Sequence, residues 1–443
     1  MRVSKLPNDP GPAGWNRLLP KRAPASVLAT NITADWLVIG AGFAGLAAAH
    51  RLSKLAAGDR IVVLDAVRVG EGPAGRNSGF MIDLPHDLNS DDYGGALATD
   101  IAQTEDNRIG ISHAQQMATE YDLTQEAFTL SGKINAAASA RGQAHNDSFA
   151  KHLDALGEPY ETYSAAQMRE ITGSDFYQSG LFTAGSAMIQ PALFVRGVSA
   201  GLRSGGVSIF ENSPVIKLAR HGDWVATTPQ GQVSAPRVIL AVNGHLNSFG
   251  YLRGRLMHVF TYASMSRALR ADEIAQLGGQ AIWGITPADP MGTTVRRISG
   301  IGGDRIIVRN RFTFDPSMEV SQARIESVAQ DHDRAFKARF PMLSNVEMEF
   351  RWGGRLCLSW NGVQVIDQLD EGLFAACCQN GLGTAKGTFA GGLAADMALG
   401  RSSPSLERAL ASKKPRRLPP NPIARLGAHF RLKTQERAAG REL

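Results

Sequence analysis

The sequence predicts an α/β protein whose first domain winds a parallel sheet, and three observations predict it. A short apolar run, Trp36-Leu37-Val38-Ile39, is followed by a helix-periodic stretch and a second apolar run, Ile61-Val62-Val63-Leu64. That order reads as a βαβ unit. The turn between the first strand and the helix is Gly40-Ala41-Gly42-Phe43-Ala44-Gly45, and Asp65 ends the next strand 20 residues after Gly45. Glycine is in excess, at 47 of 443 residues against a usual ~7%. It gathers in a few loops, as expected where backbone runs close to a large ligand.

Taken in order, residues 1–33 are rich in Pro and Lys/Arg and lack a period, so they read as an extended arm with at most one short anchored element. After the first strand, Phe43, Leu46, Ala47, Leu52 and Leu55 place apolar groups on the sheet-facing side of a helix. Helices are expected near 97–121, 146–156, 164–171 and 192–204. Strands are expected near 207–217, 223–227, 237–242, 256–265 and 305–312. A polar helix over 320–339 then precedes strands near 346–351, 363–366 and 373–377, and a small-residue helix over 385–399. The stretch 411–443 reads as a tail with one late helix. No internal repeat or low-complexity block is present.

Composition excludes several classes. Hydrophobic residues at 43% and charged residues at 20% describe a globular chain. Three cysteines, Cys357, Cys377 and Cys378, make neither a disulfide framework nor a zinc spacing. No apolar run of membrane-spanning length and no signal-peptide core is seen, which favours the cytoplasm. The net charge of +6 is a property of the tail, since residues 401–443 hold 11 basic and 3 acidic side chains. The body is nearly neutral, so nucleic acid is not an expected partner, and the tail is expected to pack along its own protein.

The glycine motif carries the chemistry. Gly40 permits the tight turn, Gly42 lets backbone approach a pyrophosphate, and Gly45 lets the helix lie close to the sheet. Phe43 and Ala44 open the helix, whose N-terminal amides face the phosphate charge. Asp65, with Ala66 beside it, accepts ribose hydroxyls. A dinucleotide is expected here. Gly75-Arg76-Asn77-Ser78-Gly79 follows as a polar loop with an arginine. Far downstream, Gly381-Leu382-Gly383-Thr384 opens the small-residue helix and offers a second helix N-terminus to an anion.

On these residues the chain resembles the FAD-dependent superfamily of D-amino-acid oxidase, glycine oxidase and sarcosine oxidase, and within it the gamma-glutamylputrescine oxidoreductase-like branch. The resemblance covers about residues 30–443. It also rests on Met188-Ile189-Gln190-Pro191, Val215, Val238 to Gly244, Trp352-Gly353-Gly354 and the closing Arg437 to Leu443. It implies a Rossmann-type FAD-binding domain from 34–95, 190–248 and 350–400. A second, α+β substrate domain built on a large antiparallel sheet would come from 96–189 and 249–349. The arm 1–33 and the basic tail 401–443 would flank them. Val215 would meet the adenine through its backbone, and Asn243 and Gly244 would lie near the adenosine and pyrophosphate. Arg76, Asn77 and Ser78 would reach toward the pyrophosphate and flavin, and Gly381 to Thr384 would line the flavin's pyrimidine edge. FAD is expected to be held without a covalent bond, since Cys357 does not fall cleanly on the relatives' linking cysteine. The strand around 255–264 offers His258 where relatives carry a lysine, which leaves the electron acceptor open between oxygen and another carrier.

Substrate-side candidates come from the strands expected to face the flavin. His258 and Tyr262 lie four apart on one strand and should share a face; His258 is the preferred proton acceptor. Arg309 and Arg311 share a face of another strand, and either can pair with a carboxylate. Asp83 and His86 are placed to meet a cationic amine, and Trp352 and Trp360 to form walls. Each has a plainer alternative as a packed or solvated side chain. The function expected is oxidation of a C–N bond in an amine or N-substituted amino acid by hydride transfer to flavin N5. The alternatives are a flavin-dependent 2-hydroxy acid dehydrogenase, an NAD-binding dehydrogenase and a flavin-binding partner subunit. An oligomer is compatible with the sequence.

Overall fold

Trp36–Ile39 and Ile61–Leu64 are buried along their whole length, as parallel strands covered on both faces must be. They sit at the centre of a six-stranded sheet in the computed structural model, which describes residues 1–85, Ser90 and 93–443. The strand order is Ser208–Phe210, Ile61–Leu64, Trp36–Ile39, Arg237–Leu240, Leu373–Cys377 and Val365–Asp370. All neighbours are parallel except the last pair. One face packs against helices Phe43–Leu55, Leu97–Glu120, Pro191–Ser204 and Ala385–Ala398 in a core that includes Val38, Val63, Ala47, Ala114, Val198 and Ala394. The other face meets a four-stranded sheet through Leu37, Val62, Val238, Leu218, Trp224 and Val233.

The second large sheet has eight strands, in the order Met348–Ser359, Leu256–Ser266, Arg305–Phe314, Thr294–Ile298, Trp283–Pro287, Lys133–Ala137, Ser179–Thr183 and Glu161–Ser164. Its neighbours run antiparallel except Trp283–Pro287 with Lys133–Ala137. Helix Gln322–Arg339 covers part of it and buries Ile325, Val328, Ala329, His332, Ala335 and Phe336, a spacing of three and four. Met348–Ser359 pairs wholly within this sheet, so by strand pairing the change of layer falls after Ser359 rather than at 350.

Local readings differ from the structure where tertiary partners decide. The stretch 207–217 is not one strand. It holds Ser208–Phe210 and then a loop in which the Glu211 carboxylate accepts from Val69 N and Ser213 N donates to Asp65 O. Strands Lys133–Ala137, Ser179–Thr183, Trp283–Pro287 and Thr294–Ile298 lack an alternating polar face, because nearly all their residues are covered. The arm has two elements, helix Gly14–Leu18 and strand Asn31–Thr33, and Trp15 is fully buried. The tail forms helices Pro404–Ala411 and Asn421–Ala439, and its end is inserted, with Glu442 only 1% exposed. Arg408 pairs with Asp106, Lys414 with Asp367, and Glu436 with Arg311, so the tail lies along its own protein.

Candidate active site

The carboxyl ends of strands Trp36–Ile39, Ile61–Leu64 and Arg237–Leu240 open onto one cavity, lined there by Gly40, Gly42, Phe43, Ala44, Asp65 and Ala66. This is where an open α/β sheet binds its ligand. Gly40 has φ +104°, and a Cβ on it would lie 2.6 Å from the Ala241 carbonyl. A Cβ on Gly45 would lie 1.7 Å from the Gly40 carbonyl, so no side chain fits between helix and turn. Gly42 is different. Its nearest neighbour would be the Ala74 Cβ at 3.5 Å, which leaves backbone open to the cavity. It caps helix Phe43–Leu55 without a side-chain hydrogen bond, so the first amides are available to an anion. Asp65 accepts from Ala41 N at 2.7 Å and Val67 N at 2.9 Å. Burial pushes its pKa up to about 6, against the pull of these amides.

The loop 75–79 is built as tightly, although Gly75 and Gly79 do not themselves line the cavity. A Cβ on Gly75 would lie 1.8 Å from the Gly70 carbonyl. Asn77 donates to Ala74 O and accepts from Gly79 N, which locks the turn. Arg76, Asn77 and Ser78 line the cavity, yet the Arg76 guanidinium donates to the carbonyls of Glu71, Pro10, Gly11 and Gly353. Four of its five N–H donors are thus committed to backbone, which leaves one for a ligand in the cavity. A residue the sequence did not single out holds this loop. Arg296 is 5% exposed and donates to the carbonyls of Ser78, Gly79 and Ile189, with its guanidinium 5.4 Å from the Trp15 ring centroid and 5.5 Å from that of Phe80. Burial lowers its pKa to about 10. Its strand was not expected, and an arginine in an unassigned run gives no signal of burial.

Val215, Asn243 and Gly244 line the same cavity, as do Gly381, Leu382, Gly383 and Thr384. Asn243 accepts from Cys378 N, and Thr384 Oγ1 donates to Phe80 O at 2.7 Å. No described residue lies within 4 Å of a Cβ placed on Gly383, and helix Ala385–Ala398 starts without a side-chain cap. Cys357 also lines the cavity. Its hydrogen bond to Cys378 and then burial raise its pKa well above the usual thiol value, which keeps it protonated.

On the other sheet, the cavity is walled by Thr261, Thr286, Thr294 and Arg309, with Phe80, Ile82 and Leu382 beside them. Arg309 opens partly to the cavity and lies 4.7 Å over the Phe312 ring; among the described residues its guanidinium has no ion pair. Burial lowers its pKa to about 10, so it remains a cation. Thr261 Oγ1 is buried with no hydrogen-bond partner among the described residues.

Several expected residues do not line this wall. Tyr262 packs with Phe260, Ile325 and Val328 under helix Gln322–Arg339 and bonds Thr313 Oγ1 at 2.6 Å. Alternation along the strand gives Thr261, not Tyr262, to the cavity. His258 lies behind the wall, where a Cβ on Gly244 would come 2.8 Å from its Nδ1. Burial, Arg355 and Lys5 lower its pKa to about 4, so it is neutral near pH 7. Asp83 is fully buried and bound by Ser186 and Arg108. Arg311 pairs with Asp331 and Glu436. Trp352 is fully buried beside Trp15 and donates to Arg76 O, while Trp360 is 57% exposed. His86 falls outside the described residues.

The open helix N-terminus at Gly42, the half-satisfied Asp65 carboxylate and the bare Gly383 backbone fit a dinucleotide with a pyrophosphate and a ribose. Fold and site together define a class, a dinucleotide-dependent enzyme in which a second sheet walls the reacting end of the cofactor. The chain belongs to the FAD dependent oxidoreductase family (DAO), whose model matches residues 35–397, and FAD is its cofactor. It is 23% identical over 412 residues to the probable oxidoreductase OrdL of Rhizobium meliloti (strain 1021), covering 90% of each chain. It is 23% identical over 393 residues to the gamma-glutamylputrescine oxidoreductase of Escherichia coli (strain K12), covering 86% of this chain and 87% of the relative. Its fold matches the glycine oxidase structure from Geobacillus kaustophilus with a TM-score of 0.68 at 16% identity, covering 86% of this chain and 99% of that one. No helix among the described residues is long and apolar enough to cross a membrane.

Proposed function

We propose that this chain oxidises the C–N bond of an amine or N-substituted amino acid that carries a carboxylate. The observation that carries the reading is Arg309, a cation in the wall of the FAD cavity that has no ion pair among the described residues. It can hold a carboxylate by two parallel hydrogen bonds, while Thr294 and the Thr261 hydroxyl, which has no hydrogen-bond partner among the described residues, offer further polar contacts. FAD supplies the acceptor for the hydride that leaves the carbon beside nitrogen. The imine so formed takes up water and splits into a carbonyl compound and an amine. Phe80, Ile82 and Leu382 make an apolar patch beside these groups, which favours the neutral amine whose lone pair the reaction needs. Among the described residues of this wall none is a carboxylate or imidazole. The names of the Escherichia coli and Geobacillus kaustophilus proteins support a nitrogen substrate. The reading carries with it a cytoplasmic location and an electron acceptor that is oxygen or another carrier.

The test is anaerobic flavin reduction with matched panels of carboxylate-bearing amines, simple amines and 2-hydroxy acids. Carboxylate-bearing amines should bleach the flavin, and Arg309→Ala should lose roughly 2–5 kcal/mol in kcat/KM toward them. Reduction only by 2-hydroxy acids would transfer the reading to that chemistry.

A further inference from the structure

We propose that the N-terminal arm is a cofactor-binding element, with Val3, Lys5, Leu6 and Pro7 forming one wall of the FAD cavity. The proposal rests on the FAD assignment and extends the site to a segment outside the matched family region, which begins at residue 35. These four residues line the same cavity as Gly42, Asp65 and Val215.

The arm is tied at both ends to segments that line that cavity. At its start, Val3 N donates to Ile216 O, next to Val215, and Leu218 N donates to Met1 O, each at 2.9 Å. Ser4 N donates to Ser248 O at 2.9 Å, in the turn that follows Asn243 and Gly244. At its far end, Asp9 lies 3.6 Å from Arg355, with side chains 6% and 5% exposed. Arg76 donates to the carbonyls of Pro10 and Gly11, and Trp15 Nε1 donates to Asn77 O. Arg355, Arg76 and Asn77 all line the cavity. The same loop that would touch the cofactor therefore holds the arm.

Residues 1–13 form no helix or strand beyond one bridge at Arg2, so their order comes from this docking. Pro7, Pro10 and Pro12 keep the segment extended and reduce the entropy lost when it docks. Lys5 is also held in the wall by its ion pair with Glu319, 3.1 Å away. A ligand that binds only the docked state stabilises docking by the same factor by which docking raises its affinity.

The experiment uses the full chain, a chain in which a new initiator Met precedes Asp9, and a full-length Lys5→Glu/Leu6→Ser variant. FAD affinity and dissociation rate are measured by flavin fluorescence, and trypsin cleavage after Lys5 is timed with and without FAD. Both variants should bind FAD at least fivefold more weakly and release it faster, and FAD should slow the cleavage at least tenfold. The full-length variant answers the question if the shortened chain does not fold. Smaller effects in that variant, or cleavage at the same rate with and without FAD, would overturn the proposal. A wild-type chain that takes up no FAD would remove the cofactor reading and the arm proposal together. One that binds FAD as tightly as the variants do removes only the latter.

Discussion

Asp65 shows how one side chain serves fold and ligand at once. Its two oxygens accept from Ala41 N and Val67 N, and each oxygen keeps lone-pair capacity for a ribose hydroxyl. Burial raises its pKa to about 6. Hydroxyl donors favour the ionised form, so FAD affinity should fall as pH drops through about 6, as the carboxylate takes up a proton. Asp65→Asn should weaken binding at pH 8 by roughly 1.5–3 kcal/mol and flatten the pH dependence. Flavin fluorescence titrations between pH 5 and 8 check both. His258 and Arg309 make the contrast on the second sheet. The imidazole is hidden behind Gly244 and held neutral, while the guanidinium faces the cavity and stays charged. Sequence spacing placed both on strands without saying which face looks inward.

At the scale of elements, helix Phe43–Leu55 is held against backbone on two sides. A Cβ on Gly45 would meet the Gly40 carbonyl at 1.7 Å, and one on Gly391 would meet the Ala44 carbonyl at 2.0 Å. Helix Ala385–Ala398 can approach so closely because it is made of small residues, which is also how its N-terminus reaches the cavity. Gly45→Ala should therefore push the helix off the sheet, at a cost at the upper end of the ~1–3 kcal/mol typical of overpacking, or beyond it. The purified variant should carry much less FAD and unfold at a lower denaturant concentration. Gly58→Ala is the matched control for composition, since no described residue lies within 4 Å of its added Cβ, although its φ of +94° carries some strain.

Across the whole molecule, buried histidines set the acid limit of stability. Burial lowers the pKa of His113, His245 and His332 to about 3 and that of His258 to about 4. The unfolded chain takes up these protons near pH 6.5, well before the folded one does. Stability should be highest above pH 6.5 and fall as pH drops toward 4, with the unfolded state binding more protons throughout that window. His332, which bonds Ser264 Oγ beneath the second sheet, contributes to this without touching the cavity. Thermal unfolding from pH 8 to 4 should show the decline, and His332→Gln should make it shallower while lowering Tm at pH 8.

The βαβ unit, the glycine spacing, Asp65 and the small-residue helix were legible in the sequence because each is a local pattern. Periodicity and turn chemistry act over a few residues, and a dinucleotide site at the end of parallel strands is assembled from such patterns. What tertiary structure decided was direction and partnership. Strand Leu256–Ser266 is buried along nearly its whole length, with apolar and polar residues on both faces, so no alternation in the sequence marks Thr261 rather than Tyr262 as the cavity side. Arg76 carries the residue type expected at a pyrophosphate, but four backbone carbonyls claim it. Arg296 takes over the loop from a strand without amphipathic signature, and the arm gains its order from surfaces hundreds of residues away. Such choices depend on which groups meet across the fold, and a local pattern does not record that.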